Sequence, residues 1–377
     1  MFYLEKLQIN SFRNYETQDV TFSPILNIIE GKNAQGKTNL LEAIYYLSVN
    51  RSFRTSRDQE LVNYGEEYFR IKGKFIENDF SNEIDVFYRQ KDSLQIKLNR
   101  EAANRYDFLQ KFPVVVFCPD DLSIIKDGPS VRRRFLNLES SRLNKTYFDQ
   151  LKDYQRVLKQ RNYLLKNSYS GRSLNDQLKP WDNSLVELGS SIMQARLEIV
   201  RSIQAEAQSF FKAMTNSREV LEMEYLGSFK VPGSIDATKD IFKKKIAEKR
   251  ELELRRGITM VGPHLDDLKI MINGCDTRKY SSQGQKRTAA LALKMAEINL
   301  FKKRNEMWPI VLLDDVFSEF DKERRMYLLD FIRKSSGQCF ISTADAVDNI
   351  ISNIESDYKI IMIDKGRVTG EKGRSFN

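Results

Sequence analysis

The sequence predicts an α/β protein: a P-loop head whose mixed sheet carries an antiparallel meander, joined to a helical second lobe. Three observations predict it. A glycine-rich loop, "GKNAQGKT" from Gly31 to Thr38, lies between an apolar run and a helical pattern. Apolar residues alternate between Tyr68 and Leu98, then change to helical spacing between Tyr147 and Ile203. The 377 residues exceed what a single core serves, so two lobes are expected.

Along the chain, "FYLEKLQI" and "ILNIIE" read as two strands joined by a turn region at Arg13-Asn14-Tyr15. Phe69, Ile71 and Phe75, then Ile84, Val86 and Tyr88, then Leu94, Ile96 and Leu98 give the three runs of the meander. "FPVVVFC" at 112–118 is a short buried strand. Tyr147, Leu151, Tyr154, Leu158 and Leu165 share one helical face. After a loop holding Gly171 and Pro180, Leu185, Leu188, Ile192, Ile199 and Ile203 mark a second helix packed on the first. A basic helix over about 240–256, the strand "LKIMING" and a helix over about 285–303 follow. "PIVLLDD", "QCFIST" and "YKIIMID" close the chain as short apolar strands of a helix-covered parallel sheet. The expected boundaries are 1–118 for the first half of lobe I, 119–300 for helical lobe II, and 301–377 for the second half of lobe I.

Lys and Arg outnumber Asp and Glu by 61 to 52, a net charge of +9 that favours a polyanionic partner. Cys118, Cys275 and Cys339 show neither disulfide nor metal spacing, so they read as three small buried hydrophobes in a reducing cytosol. No apolar run reaches membrane length and the start "MFYLEKLQINSF" is no signal peptide, so a soluble cytoplasmic protein without a membrane partner is expected.

The chemistry rests on three elements. In Gly31-Lys32-Asn33-Ala34-Gln35-Gly36-Lys37-Thr38 the glycines let backbone N–H groups turn toward phosphate oxygens. Lys37 reaches the β and γ phosphates of ATP, and the Thr38 hydroxyl ligates Mg2+. "IVLLDDVFSEFD", from Ile310 to Asp321, is a buried strand ending in carboxylates, with Asp314 for Mg2+ and Asp315 for the attacking water. Most of the chain separates these two motifs, so a large insertion divides one nucleotide-binding sheet. In "YSSQGQKRTAALALK", Ser282-Gln283-Gly284-Gln285 opens a helix; it is either a plain N-cap or a second phosphate site. A second phosphate site makes sense if it serves a nucleotide held by another copy, in a homodimer with two ATP molecules at the interface.

This order of motifs resembles the ATP-binding cassette superfamily and, within it, the SMC-like heads of the RecF family of DNA repair proteins. "INSFRNYE", "RSFRTSRDQELV", "VVFCPDDLSIIKDGPSVRRRFLN" and "GPHLDD" extend the likeness over nearly the whole chain. The resemblance implies an ABC-type head, a weak Mg-dependent and DNA-stimulated ATPase, and ATP used as a timer. It further implies double-stranded DNA beside a single-stranded gap or junction as ligand, a RecR-type mediator as partner, and a nucleoid-associated role in replication, the SOS response and recombinase loading. By resemblance Arg13 and Asn14 lie near the nucleotide base, and Ser318 to Asp321 cross the dimer interface.

The chain departs from relatives at three places. Asp315 stands where many cassette ATPases have Glu, Thr343-Ala344-Asp345 lacks the transporters' histidine, and Leu265 replaces an expected Arg. Rival readings are a transporter's nucleotide-binding subunit, an SMC-type chromosome-structuring ATPase whose long coiled coil this insert is too short to form, and a DNA scaffold that never turns its nucleotide over. Arg132-Arg133-Arg134 and Lys243-Lys244-Lys245 are either solvated faces or DNA phosphate contacts, and Arg255-Arg256 is similar. His264, the single histidine, has no nucleophile motif beside it and reads as structural or interfacial.

Overall fold

The computed structural model describes residues 1–90, 92, 94–104, 108–109, 111–167, 172–344 and 357–374. The chain divides into two compact units, one formed by Met1–Asp121 with Glu297–Asn377, the other by Leu122–Ala296.

The first unit holds two six-stranded sheets. One is antiparallel, in the order β2 (Tyr15–Thr21), β1 (Phe2–Phe12), β4 (Tyr68–Glu77), β5 (Phe80–Arg89), β6 (Gln95–Leu98), β7 (Glu101–Ala102). The meander lies where alternation places it, with Phe69, Ile71 and Phe75 of β4 fully buried. The expected pair of strands in residues 2–30 is in fact three, because "YETQDVT" pairs with β1 across the Arg13-Asn14 turn. Its polar residues face outward on an edge strand, and only Tyr15 and Val20 are buried, so its apolar signal is thin.

The second sheet runs β15 (Arg367–Arg374), β14 (Tyr358–Asp364), β3 (Leu26–Glu30), β13 (Cys339–Thr343), β12 (Ile310–Asp314), β8 (Val114–Phe117). All its pairings are parallel except β14 with β15. Its central strands β3, β13 and β12 are buried almost along their whole length and mostly apolar, as a sheet covered on both faces requires. Helix α1 (Lys37–Val49) packs against strands of both sheets and is buried on nearly every side. The fully buried Gln338 side chain bonds Leu4 N–H at 2.8 Å, Leu4 O at 2.9 Å and Ser23 O at 2.7 Å, satisfying β1 beside its bulge between Leu4 and Lys6.

The second unit packs α2 (Pro129–Leu143), α3 (Lys145–Asn167), α4 (Arg172–Met214) and α5 (Ile235–Arg256) around a three-stranded antiparallel sheet of β9 (Leu221–Leu226), β10 (Asp267–Ile272) and β11 (Cys275–Asp276). The paired helices expected here are α3 and α4. Pro180 falls inside α4 rather than in the loop assigned to it, while Gly171 lies outside the described residues. Pro180 is exposed, so water can serve the carbonyl left without its N–H donor. Helix α6 (Gln283–Asn305) begins in this unit and ends in the first. Polar side chains thread the second unit's core: Arg161 bonds Asp182 at 2.8 Å, Glu253 at 2.6 Å and Thr259 at 2.8 Å, with no exposure at its guanidinium. Of the three cysteines only Cys339 is buried; Cys118 is half-buried and Cys275 exposed on the short strand β11, which corrects their reading as three buried hydrophobes.

Candidate functional site

The P-loop leaves the buried strand β3 and turns into α1 through Gly36, whose φ of 118° lies in the region that favours glycine. A Cβ at Gly36 would sit 2.8 Å from the Asn14 side chain, and one at Gly31 would sit 2.5 Å from the carbonyl oxygen of Ile363. The loop can therefore pass between these neighbours only as glycine. No side chain caps α1, and its first turn contains no acidic residue, so its leading N–H groups stay available to an anion. The Lys37 ammonium arcs back over the loop to Gly31 O at 2.6 Å and Lys32 O at 3.0 Å. Burial draws its pKa below the usual lysine value, while Asp315 and then Asp314 pull it up.

Asp314 ends β12 and lies against the first turn of α1: its Oδ1 accepts the Thr38 hydroxyl at 2.9 Å and the Ser342 hydroxyl at 2.8 Å. Burial pushes its carboxyl above the ordinary aspartate value, an effect the two hydroxyls and the Arg54 guanidinium oppose. Asp315 takes the left-handed backbone conformation at φ 50°, which fastens its N–H to Ser342 Oγ at 2.9 Å. Ser318 in turn donates to Asp315 O at 2.7 Å, and Asp321 caps α7 (Lys322–Lys334) through Arg324 N–H. A buried carboxylate beside a hydroxyl, at the mouth of a phosphate cradle, is a donor set that fits Mg2+.

Behind the loop, Asn14 donates to Gln35 O at 3.0 Å and accepts from Asn39 at 2.8 Å. Gln35 also accepts backbone N–H bonds from Lys365 and Gly366 in the β14–β15 turn, both at 2.8 Å. Arg13 spends its donors on Glu42, in two bonds of 2.8 Å, and on Glu60 O at 2.9 Å. In this structure it braces α1. Lys32, Asn33 and Ala34 form the exposed crest of the loop. Sequence reasoning assigned no role to three neighbours. Glu42, fully buried on α1, gathers Arg13, Ser52 and Arg54. Arg54 is also 2.8 Å from Asn39 and close enough to Asp314 to lower its pKa. Ser342 ties together the two carboxylate positions. The available signal was "RSFRTSR", three arginines in a short span with no apolar period.

Ser282, Gln283, Gly284 and Gln285 belong to the second unit. Ser282 Oγ accepts the Gln285 N–H at 3.2 Å and Gln285 Oε1 accepts the Ser282 N–H at 2.8 Å, a reciprocal capping box at the start of α6. Both Ser282 and Gln283 are exposed.

The arginine triplet does not behave as one unit. Arg132 is buried, clasps Asp267 at 2.7 and 3.0 Å and bonds Asp127 O at 2.6 Å, so it is removed from the DNA-contact candidates by the helical period that turns it inward. Arg133 reaches Asp266 O at 2.8 Å and only Arg134 is exposed. Lys243 and Lys244 are exposed on α5, and Lys245 pairs with Glu248 at 2.7 Å. His264 is half-buried, with Nδ1 2.7 Å from Tyr154 Oη and Nε2 3.2 Å from Thr259 O; burial draws its pKa below the ordinary value.

The family described as RecF/RecN/SMC N terminal domain matches residues 3–369. The DNA replication and repair protein RecF of Bacillus cereus (strain G9842) is 38% identical over 378 residues, covering 99% of this chain and 100% of that protein. RecF of Oceanobacillus iheyensis is 39% identical over 347 residues, with 90% and 93% covered. The solved structure of the recombination mediator protein RecF-ATP of the RecFOR pathway superposes with a TM-score of 0.89 at 36% identity, covering 99% and 98% of the two chains. An Smc head domain from Pyrococcus furiosus reaches 0.56 at 18% identity over 100% and 97%, a likeness of fold alone.

Proposed function

The chain belongs to the RecF family, within the RecF/RecN/SMC N-terminal domain group, and we propose that it is a DNA repair ATPase acting in recombinational gap repair and replication. The observation that carries this reading is the meeting of Thr38, Asp314 and Ser342 at an uncapped helix N-terminus under Lys37. The P-loop N–H groups and the Lys37 ammonium take the β and γ phosphates of ATP, and Thr38 with Asp314 hold Mg2+, which when bound neutralises charge on those phosphates. Asp315, held by Ser342, orients the attacking water.

The nucleotide lobe is residues 1–118 with 301–377, and lobe 119–300 carries the signature turn. In a homodimer each Ser282 meets the γ-phosphate bound by the other copy. Its capping role does not forbid this: Oγ accepts from Gln285 while its own proton remains free to donate. The assembled dimer closes on duplex DNA beside a single-stranded gap, to which the net charge of +9 and exposed Arg134, Lys243 and Lys244 contribute. Slow, DNA-stimulated hydrolysis reopens it, so that ATP times the residence of the protein and of a RecR-type mediator while recombinase loads. Among the described residues no helix is long and apolar enough to cross a membrane. The site of action in this reading is the cytoplasm, on the nucleoid.

Sedimentation with and without ATP and gapped DNA tests the reading. Wild type sediments as a dimer with ATP, whereas Ser282→Arg remains a monomer that still binds ATP. Mixing Ser282→Arg with Lys37→Met restores part of the dimer, since one of the two composite sites can then be built from intact halves. Equal dimerisation by Ser282→Arg and wild type would sink the sandwich arrangement, and absence of phosphate release would leave a scaffold.

A further inference from the structure

The capping box at Ser282 does not stand alone. Gln285 uses its amide oxygen for the Ser282 N–H and its amide nitrogen for Glu219 Oε1, at 2.5 Å. An ionised carboxylate only accepts hydrogen bonds, so Glu219 fixes which way the Gln285 amide faces. Were the amide reversed, its NH2 would confront the Ser282 N–H and the cap would be lost. Glu219 is itself anchored. Ser217 N–H bonds Lys212 O at 2.8 Å and Arg218 N–H bonds Thr215 O at 3.1 Å, closing the end of α4. On its other side, Val220 N–H bonds Asn273 Oδ1 at 2.8 Å and Val220 O accepts Asn273 N–H at 2.9 Å, which ties Glu219 to the head of β9 and the end of β10.

From this chain of contacts we infer that Glu219 is the positioning residue of the signature turn, setting the Ser282 backbone and hydroxyl for the nucleotide of a second copy by orienting the Gln285 amide. The inference rests on the sandwich-dimer reading. Glu219 touches no nucleotide; it acts through Gln285. Because it stands where α4, β9 and β10 converge, a displacement of that small sheet is carried to Ser282 through two hydrogen bonds.

The test is a polarity exchange. Glu219→Gln permits the new amide to donate to Gln285 Oε1 and so turn the Gln285 amide the wrong way. Gln285→Glu alone sets two carboxylates against each other. The double variant Glu219→Gln/Gln285→Glu restores the pattern, with the residue 219 amide donating and the residue 285 carboxylate serving both it and the Ser282 N–H, as in the Glu form of a capping box. Each single variant is expected to need about tenfold more ATP for half-maximal dimerisation, the worth of roughly one hydrogen bond. The double variant returns to near the wild-type value. ATP binding by the monomer and the melting temperature stay at wild type throughout, and hydrogen exchange at residues 281–286 rises only in the single variants. Wild-type dimerisation by Glu219→Gln, or failure of the double variant to recover at unchanged melting temperature, overturns the inference while leaving the dimer reading intact. Failure of the wild-type chain to dimerise with ATP removes the site that Glu219 serves and overturns both.

Discussion

The P-loop and the signature turn are both helix N-termini, one leading from Gly36 into α1 and the other from Ser282 into α6, and they solve the same problem in opposite ways. At the P-loop the cap is a glycine without a side chain, no side chain among the described residues caps the helix, and the loop is clamped from behind by Asn14 and the Lys365-Gly366 turn. At the signature turn the helix caps itself through Ser282 and Gln285, and the turn is exposed and steadied by one carboxylate. An uncapped, braced N-terminus waits for an anion as a monomer. A self-capped one is satisfied already and has only a hydroxyl proton to offer, which in the proposed dimer completes a site that something else has filled.

The largest expected break in this contrast is Lys37→Met. It should weaken ATP binding about a thousandfold, roughly 4 kcal/mol, the combined worth of two charge-assisted contacts, as read by calorimetry. No substitution in the signature turn should approach that in the monomer. Arg132→Ala comes next: it removes both close bonds to Asp267, leaving Arg278 at 3.9 Å as the remaining cation among the described residues, and should cost the fold about 3 kcal/mol in a denaturant titration. A fall in DNA affinity at unchanged stability would instead return Arg132 to the DNA-binding set. Asp315→Asn should slow phosphate release about a hundredfold while ATP affinity stays put, which distinguishes the water-orienting carboxylate from the metal-holding one beside it.

The smallest effect has the opposite sign. Because the folded-state pKa of Asp314 lies above its unfolded value, the folded protein binds the proton more tightly. Stability therefore falls as pH rises from the ordinary aspartate range through the raised value, and remains lower at neutral pH. Asp314→Asn, which can still accept from Thr38 and Ser342, should raise the melting stability by about 1 kcal/mol at neutral pH while abolishing Mg-dependent turnover. A drop in stability would mean the carboxylate is not strained by burial.

The two regions also differ in how much of them could be read from sequence. The P-loop, Asp314 and the meander are spelled by neighbours in the chain, through fixed spacing and alternation, and they were legible. Pairings between distant residues carry no local mark. Nothing in "RRR" says that Arg132 turns inward to Asp267 while Arg134 faces water, except the helical period applied residue by residue. Glu42 with Arg13 and Arg54, Arg161 with Glu253, and Glu219 with Gln285 exist only once the chain has brought them together. Strand β2 was missed for a different reason: an edge strand with two buried side chains has too little apolar alternation to stand out.

The position of β3 in its sheet has a consequence for how the protein is made. β3 lies between β13 and β14, strands synthesised near the far end of the chain, after the whole of Leu122–Ala296. At elongation rates of about 5–20 residues per second, the first P-loop residues leave the ribosome many seconds before their sheet can close. The contiguous second unit has all its strands and helices in hand well before then. A nascent or truncated chain that stops short of β13 thus presents a finished second unit and a P-loop with no sheet beneath it. Competence to hold nucleotide waits for β13 and β14 to be translated.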